Sequence, residues 1–274
     1  MPASKPHLSA TQQNMLARCP KQYEFRYVHR LKMPPSGAQV QGRAFHAAAQ
    51  FNYEQKRESH QDLPAAQMTE YFAANLDDAL RAEEVALDRA GGQTAATLKQ
   101  EGVKIVEAHR EVIAPRVQPD LIEERITIPL GDAFPYDLQV VMDVVDTDGV
   151  VRDNKSLSRK PSADEMAKDI QLSTYALAYR LLRRRPEAGL VFDAVLKHKN
   201  GPTAEVIATS RTTVDLKRHL EDIGDAQRQI QAGIFPRRPN GWWCSPRFCG
   251  YWSRCMGQPG TIFDLKTGVA TEKP

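Results

Sequence analysis

Val140-Val141-Met142-Asp143-Val144-Val145, then Asp146-Thr147-Asp148-Gly149, then Val150-Val151-Arg152-Asp153-Asn154-Lys155-Ser156: this stretch decides the fold. Leu138 to Val145 and Val150 to Ser156 read as two strands. Asp148-Gly149 is a tight-hairpin signal, so the two strands run antiparallel. A carboxylate inside an apolar strand is costly unless it meets a cation or a partner, and Asp143 sits in such a strand. Residues two apart on a strand share a face, so Asp153 and Lys155 project together. The hairpin can bring Asp143 beside Asp153. Two neighbouring carboxylates repel each other, and a divalent cation relieves the repulsion. Hard carboxylate oxygens suit Mg²⁺ or Mn²⁺. A lysine beside that ion can orient water and stabilise charge on a phosphate. A D-x-K triplet also fits a solvated surface hairpin, so the triplet does not decide the chemistry by itself.

Upstream, Ile122, Ile126 and Ile128 predict a first strand. Downstream, Ser162 to Arg185 reads as one helix. Gln171 and Tyr175 are four apart on it and share a face. Two more strands follow, Leu190 to Lys197 and Ala204 to Thr209, joined by Asn200-Gly201. A helix from Thr213 to Ala232 leads into a cysteine-rich tail. The N-terminal part reads as helical. Ser9 and Gln12 open a helix through Cys19. Further helices cover about 39–57, 65–89 and 94–113. Gly42-Arg43-Ala44-Phe45-His46 puts a histidine on an otherwise apolar helix, where a core role is the ordinary one. The expected fold is α/β, with a mixed central sheet flanked by helices, an N-terminal helical part and a C-terminal cysteine-rich tail. The expected division is 1–118, 119–235 and 236–274.

The 274 residues are 41% apolar and carry a net charge of +3, which neither demands nor excludes nucleic acid. Local basic patches are more telling: Arg183 to Arg185, Lys197 to Lys199, and Arg237, Arg238, Arg247 and Arg254. No apolar run is long enough for a membrane span, and the start lacks the pattern of a signal peptide, so a cytoplasmic location is expected. Only four cysteines occur: Cys19, Cys244, Cys249 and Cys255. In a reducing compartment such thiols point to metal rather than disulfides. Four thiolates can hold a 4Fe–4S cluster or a zinc ion. The closing spacing is C-x4-C-x5-C, without the C-x-x-C knuckles of zinc ribbons.

These motifs, in this order, resemble the RecB/AddB-like branch of the PD-(D/E)xK nuclease superfamily, including the members with an iron–sulfur cluster. The resemblance runs from about Ser9 to Cys255. It rests on Cys19-Pro20 in an aromatic stretch, Gly42 to His46, Asp143, Asp153-Asn154-Lys155, Gln171 with Tyr175, and the three closing cysteines. It implies that His46, Asp143, Asp153 and the backbone carbonyl of Asn154 hold Mg²⁺ or Mn²⁺. It implies that Asp143, Asp153 and Lys155 are catalytic, and that Gln171 and Tyr175 support the site or contact DNA. Glu124 on the first strand is a further candidate acid. It also implies a 4Fe–4S cluster on Cys19, Cys244, Cys249 and Cys255. The sequence departs from the family pattern at Val140, where glycine is frequent, at Asn154, where a bulky apolar residue is usual, and at Ser156, where threonine is frequent.

The implied activity is metal-dependent hydrolysis of DNA, by an exonuclease acting on ends or single strands. Recombination, repair, phage replication and CRISPR adaptation are all compatible settings. The alternative is a non-catalytic DNA-binding or assembly module stabilised by a cluster or by zinc. There is no helix-turn-helix pattern. There is no G-x-x-x-x-G-K-[ST] loop either, so any helicase or recombination partner is expected to be a separate protein.

Overall fold

The computed structural model describes residues 5–257, 261–263 and 270–272. The end of the expected tail, which ran to residue 274, lies partly outside the described residues. The chain divides into two compact units. The first comprises residues 1–10 and 34–227, and the second comprises 11–33 and 228–274.

The first unit is built on a six-stranded mixed sheet. Its strands are β1 (His7–Ser9), β2 (Pro119–Ile128), β3 (Asp137–Asp146), β4 (Val150–Leu157), β5 (Gly189–Leu196) and β6 (Thr203–Thr209). β3 is the pivot. β2 runs antiparallel along it, and β1 pairs in parallel with His7 opposite Asp137. β4 pairs with β3 at only two positions, Val144 with Arg152 and Val145 with Val151. Beyond them the strands part, and β4 pairs along its length with β5, in parallel. β6 completes the sheet antiparallel to β5. The short β1 was not foreseen, because three residues are too few for a periodic signal.

The hairpin joining β3 and β4 is locally over-determined. Asp146 Oδ1 accepts from the backbone N–H of Asp148 (3.1 Å) and of Val150 (2.9 Å). Gly149 takes φ of +84°, a conformation that costs glycine little. Buried Arg152 then ties the hairpin to β5, with Nε 2.8 Å from Asp146 Oδ2 and Nη1 3.1 Å from Asp193 Oδ1.

Three long helices pack together: α3 (Gly37–Ser59), α4 (Ala65–Ala82) and α5 (Ala95–Val112). α3 opens with a capping box, in which Ser36 Oγ accepts from Gln39 N–H and Gln39 Oε1 accepts from Ser36 N–H. Val40, Ala44, Phe45 and Ala48 of α3 share a buried cluster with Met68, Phe72 and Leu76 of α4 and with Leu98, Ile105 and Val106 of α5. α4 and α5 approach closely because Gly102 has no side chain: a Cβ there would lie 1.9 Å from Phe72 Cζ. The expected helix over 65–89 ends early. Glu83 is extended, and Ala86 instead exchanges backbone hydrogen bonds with Pro35 and Gly37.

The expected helix from Ser162 to Arg185 is two helices, α6 (Ala163–Ala167) and α7 (Ile170–Arg183). The break falls at Asp169, whose carboxylate caps α7 by accepting from Leu172 N–H at 2.8 Å. α7 is buried almost all round, from Leu172 to Tyr179. α8 (Thr213–Gln231) contacts it through His219, whose Nε2 lies 3.0 Å from Thr174 Oγ1. Lys155 of β4 bonds to α7, and its neighbour Asn154 bonds to α5. Successive strand residues point to opposite faces, so helices flank the sheet on both sides. No helix among the described residues is long and apolar enough to cross a membrane.

The second unit holds α1 (Ala10–Arg18), α2 (Pro20–Tyr23), one π-helical turn (Glu24–Val28), α9 (Trp252–Met256) and the short antiparallel pair β7 (Thr261–Phe263) and β8 (Ala270–Glu272). Tyr23 stacks on Phe235 with ring centroids 5.9 Å apart, and Phe25 lies 5.4 Å from Tyr251. Tyr251 Oη donates to the carbonyl of Leu31 at 2.8 Å.

Candidate functional site

The parting of β3 and β4 makes a fork lined with charge. Asp143 and Asp153 stand at its base, one register step past the last ladder pair, and are 5% and 0% exposed. The ladder would next use the Asn154 N–H, but Asp143 Oδ2 takes it at 2.8 Å. His46, from α3, brings Nδ1 to 3.1 Å from Asp143 Oδ2. On β4, Lys155 Nζ is 2.6 Å from Asp153 Oδ2. It also donates to Gln171 Oε1 at 2.9 Å, and Gln171 Nε2 donates to Tyr175 Oη at 2.7 Å. One connected set therefore contains His46, Asp143, Asp153, Asn154, Lys155, Gln171 and Tyr175, all of the site residues proposed from the sequence except the further candidate Glu124.

Glu124, the further candidate acid, is exposed. Its neighbour Glu123 stands at the fork, with Oε1 3.7 Å from His46 Nδ1. Glu123 has φ of +45°, in the left-handed region. That conformation costs a non-glycine residue about 1–2 kcal/mol, and such strain clusters at functional sites. The signal was a matter of parity. Glu124 shares its strand face with Ile122 and Ile126, whereas Glu123 takes the other face, which Asp143 occupies opposite it on β3. Ligand atoms of His46, Glu123 and Asp143 lie within 4.8 Å of one another, close enough to share one cation.

Burial and charge compete throughout this set. Burial would lower the pKa of His46, but Asp143, Glu123 and Asp153 outweigh it and raise the value to about 10. Burial raises Asp153 to about 7, aided by the Asp143 charge and opposed by Lys155. Asp143 is lowered, because His46, Lys155 and the Asn154 N–H outweigh its burial. Lys155 is raised and stays cationic, since Asp153 and Asp143 overcome its desolvation. Tyr175 is pushed up by burial and by the same carboxylates, so its hydroxyl keeps its proton. Despite the close ion pair, neither oxygen of Asp153 accepts a well-directed hydrogen bond. A fully buried carboxylate with spare lone pairs, facing a second carboxylate, suits a hard divalent cation.

The chain matches the PD-(D/E)XK nuclease superfamily over residues 7–256. It belongs to that superfamily. Its fold is also similar to a crystal structure of a "Putative exonuclease" from Eubacterium rectale, with a TM-score of 0.54 and 14% identity, over 96% of this chain and 94% of that one. No curated protein matches it. The fork residues come from four elements of this fold, Asp143 from β3, Asp153 and Lys155 from β4, His46 from α3 and the Gln171–Tyr175 pair from α7.

The four cysteines gather in the second unit, where all of them line one pocket together with Gln22 and Trp243. Cys19 and Cys249 are buried, and Cys244 and Cys255 half-buried. Two N–H groups reach sulfur: Gln22 Nε2 to Cys249 Sγ at 3.2 Å and Arg237 Nε to Cys255 Sγ at 3.3 Å. The buried indole N–H of Trp243 has no acceptor. Burial, followed by the charges of the other three cysteines, raises the Cys244 thiol. Among the described residues, no three of these sulfurs lie within 4.8 Å of one another, the spacing met at the fork.

Some of the basic residues noted in the sequence are engaged within the chain. Arg183 pairs with Asp120 at 2.7 Å, Lys197 donates to Gln41 Oε1 at 2.9 Å, and Arg238 donates to the carbonyl of Ala17.

Proposed function

We propose that this protein is a metal-dependent deoxyribonuclease of the RecB/AddB-like branch, an exonuclease acting on DNA ends or single strands. The observation that carries the proposal is the fork itself. Two buried carboxylates, a lysine and a histidine, drawn from three separate elements, meet where β3 and β4 separate. His46, Asp143, Asp153 and the backbone carbonyl of Asn154 would hold Mg²⁺ or Mn²⁺, with Glu123 as a further ligand. When bound, such an ion supplies an activated water and neutralises charge on the scissile phosphate. The chain's own groups do the rest. Asp143 and Asp153 fix the position, and the Asn154 N–H keeps Asp143 aimed into the fork. Lys155, held cationic, offers a fixed positive charge where the phosphate becomes more negative. Gln171 and Tyr175 hold the lysine in line and exclude water from its back.

We propose a 4Fe–4S cluster for the cysteine pocket. Donors already reach two sulfurs, and the free indole N–H of Trp243 fits an acceptor-rich occupant. A tetrahedral zinc site has Zn–S bonds of about 2.3 Å, which would hold its sulfurs closer together than these four. The cluster would be structural, joining Cys19 to the three closing cysteines. The setting is DNA recombination, repair, phage replication or CRISPR adaptation in the cytoplasm, with any helicase supplied by a separate protein.

The test is digestion of end-labelled single- and double-stranded DNA by anaerobically purified protein with Mg²⁺, Mn²⁺ or EDTA, beside Lys155→Ala. Metal-dependent shortening from an end, absent in the variant, is expected. Internal cuts in closed circular DNA would replace the exonuclease by an endonuclease. No cutting by cluster-loaded protein with either metal would leave a DNA-binding module.

A further inference from the structure

One buried polar contact lies behind the fork and belongs to none of the roles above. His109, on α5, is 0% exposed. Its Nε2 lies 2.9 Å from Asn154 Oδ1, and Tyr53 Oη lies 3.4 Å from the same nitrogen. An amide oxygen only accepts, so Nε2 carries the proton and Nδ1 is bare. Nδ1 is buried and has no partner. The ring sits edge-on to Phe45 at 5.3 Å and to Tyr53 at 6.0 Å, one turn of helix away from the apolar residues Ile105 and Val106.

This is an expensive way to fill a core. A buried imidazole with one unsatisfied nitrogen, facing a buried asparagine in a central strand, is at best neutral against two apolar side chains of the same shape. Stability therefore does not account for it. What the pair does have is position. Asn154 is the residue whose N–H holds Asp143 at 2.8 Å, and it lies between Asp153 and Lys155. Its ladder partner on the β3 side is lost at the fork, so nothing on that side fixes its backbone except the Asp143 carboxylate. The side chain of Asn154 points away from the fork to α5, and His109 grips it there.

We propose that His109 is a positioning residue for the metal site, acting through the Asn154 side chain to fix the peptide that aims Asp143 and presents the Asn154 carbonyl. The inference rests on the fork being the metal centre. His109 touches neither metal nor DNA. It replaces, by one directed hydrogen bond, the rigidity that the missing ladder pairs would give. Outer contacts of this kind set the orientation of ligands, and losing one typically weakens metal binding by about 10–100-fold.

The experiment is a Mn²⁺ titration of DNA-free, cluster-loaded protein, followed by the electron paramagnetic resonance of free Mn²⁺, with DNA cutting measured across Mn²⁺ concentration beside it. Three proteins are compared: the wild type, His109→Leu, and the double variant His109→Leu with Asn154→Leu. The double variant removes both polar partners at once, so the core regains apolar packing and its thermal midpoint stays at or above that of the wild type. Its Mn²⁺ affinity is nevertheless expected to fall about tenfold or more, with the Mn²⁺ concentration for half-maximal cutting rising in step. A merely structural role predicts the opposite, namely that restored packing restores Mn²⁺ binding. Wild-type affinity in the folded double variant overturns the proposal, and so does wild-type affinity in folded His109→Leu. Should His109→Leu fail to fold, the double variant decides. Wild-type protein that takes up no Mn²⁺ would instead sink the reading of the fork as a metal centre, and this proposal with it.

Discussion

The fork and the cysteine pocket are two ways of holding reactive groups. At the fork every group hangs from a long helix or a sheet strand, and only the ion would be added. Asp143, Asp153 and Lys155 are in place before any ligand arrives, and the strain is confined to one residue, Glu123. Around the cysteines there is little regular structure. Cys244 lies in a bend and Cys249 in irregular chain, and Cys255 lies in the five-residue α9. The lesson is that the sheet sets out its groups by regular structure alone, whereas the cysteines lie on separate segments that the proposed cluster would join.

The largest expected effect tests the first half of that contrast. Asp153→Ala or Lys155→Ala should reduce cutting by about a thousandfold or more, with thermal midpoint and iron content close to wild type. Retained cutting by pure Asp153→Ala protein would remove the fork from the chemistry. Next comes the second half. Cys249→Ala should lose the brown colour and absorbance near about 400 nm, and with them about 4 kcal/mol of stability, read as a thermal midpoint ~10 °C lower. A colourless variant as stable as the parent would break the contrast, because the cysteine unit would then stand without its ligand.

The fork was legible because its signals are local. A strand period of two, an Asp-Gly turn and a helical spacing of four each lie within a few residues, and they brought Asp143, Asp153, Lys155, Gln171 and Tyr175 into view, whereas His46 on its apolar helix became a candidate only through the family resemblance. What escaped depended on distant geometry. Glu123 was passed over for Glu124, since choosing between adjacent acids requires the register of β2 on β3 and a backbone turned to positive φ. His109 was missed because its partner is on another element, although Asn154, a polar residue in a buried strand, was the trace of it. The break at Asp169 was hidden inside a helical pattern that continues on both sides.

A smaller effect sharpens the Glu123 reading. Glu123→Gln should weaken Mn²⁺ binding by about tenfold, while Glu124→Gln leaves it unchanged. Equal affinities for the two variants would return Glu123 to a structural role. The smallest effect concerns pH. Burial, and then the Arg211 charge, lower His219 to about 4. In the unfolded chain it titrates near its ordinary value, so between about pH 6.5 and 4 the unfolded state binds the extra proton. The stability this contributes is present above that window and is lost as pH falls through it. His219→Gln should therefore show a shallower drop in thermal midpoint across that window than the wild type. An identical slope in the two proteins would exclude His219 as the source.

The two units also differ in when they can exist. Nearly all of the first lies in one unbroken run of sequence, residues 34–227, whereas the second is assembled from 11–33 and 228–274. During synthesis the sheet and its helices can close on themselves while the ribosome is still working. Cys19 emerges among the first residues and must wait, as a bare thiol, until Cys244, Cys249 and Cys255 follow. The proposed cluster would thereby be loaded last, and a chain truncated before Cys244 would carry the fork without the full set of four cysteines.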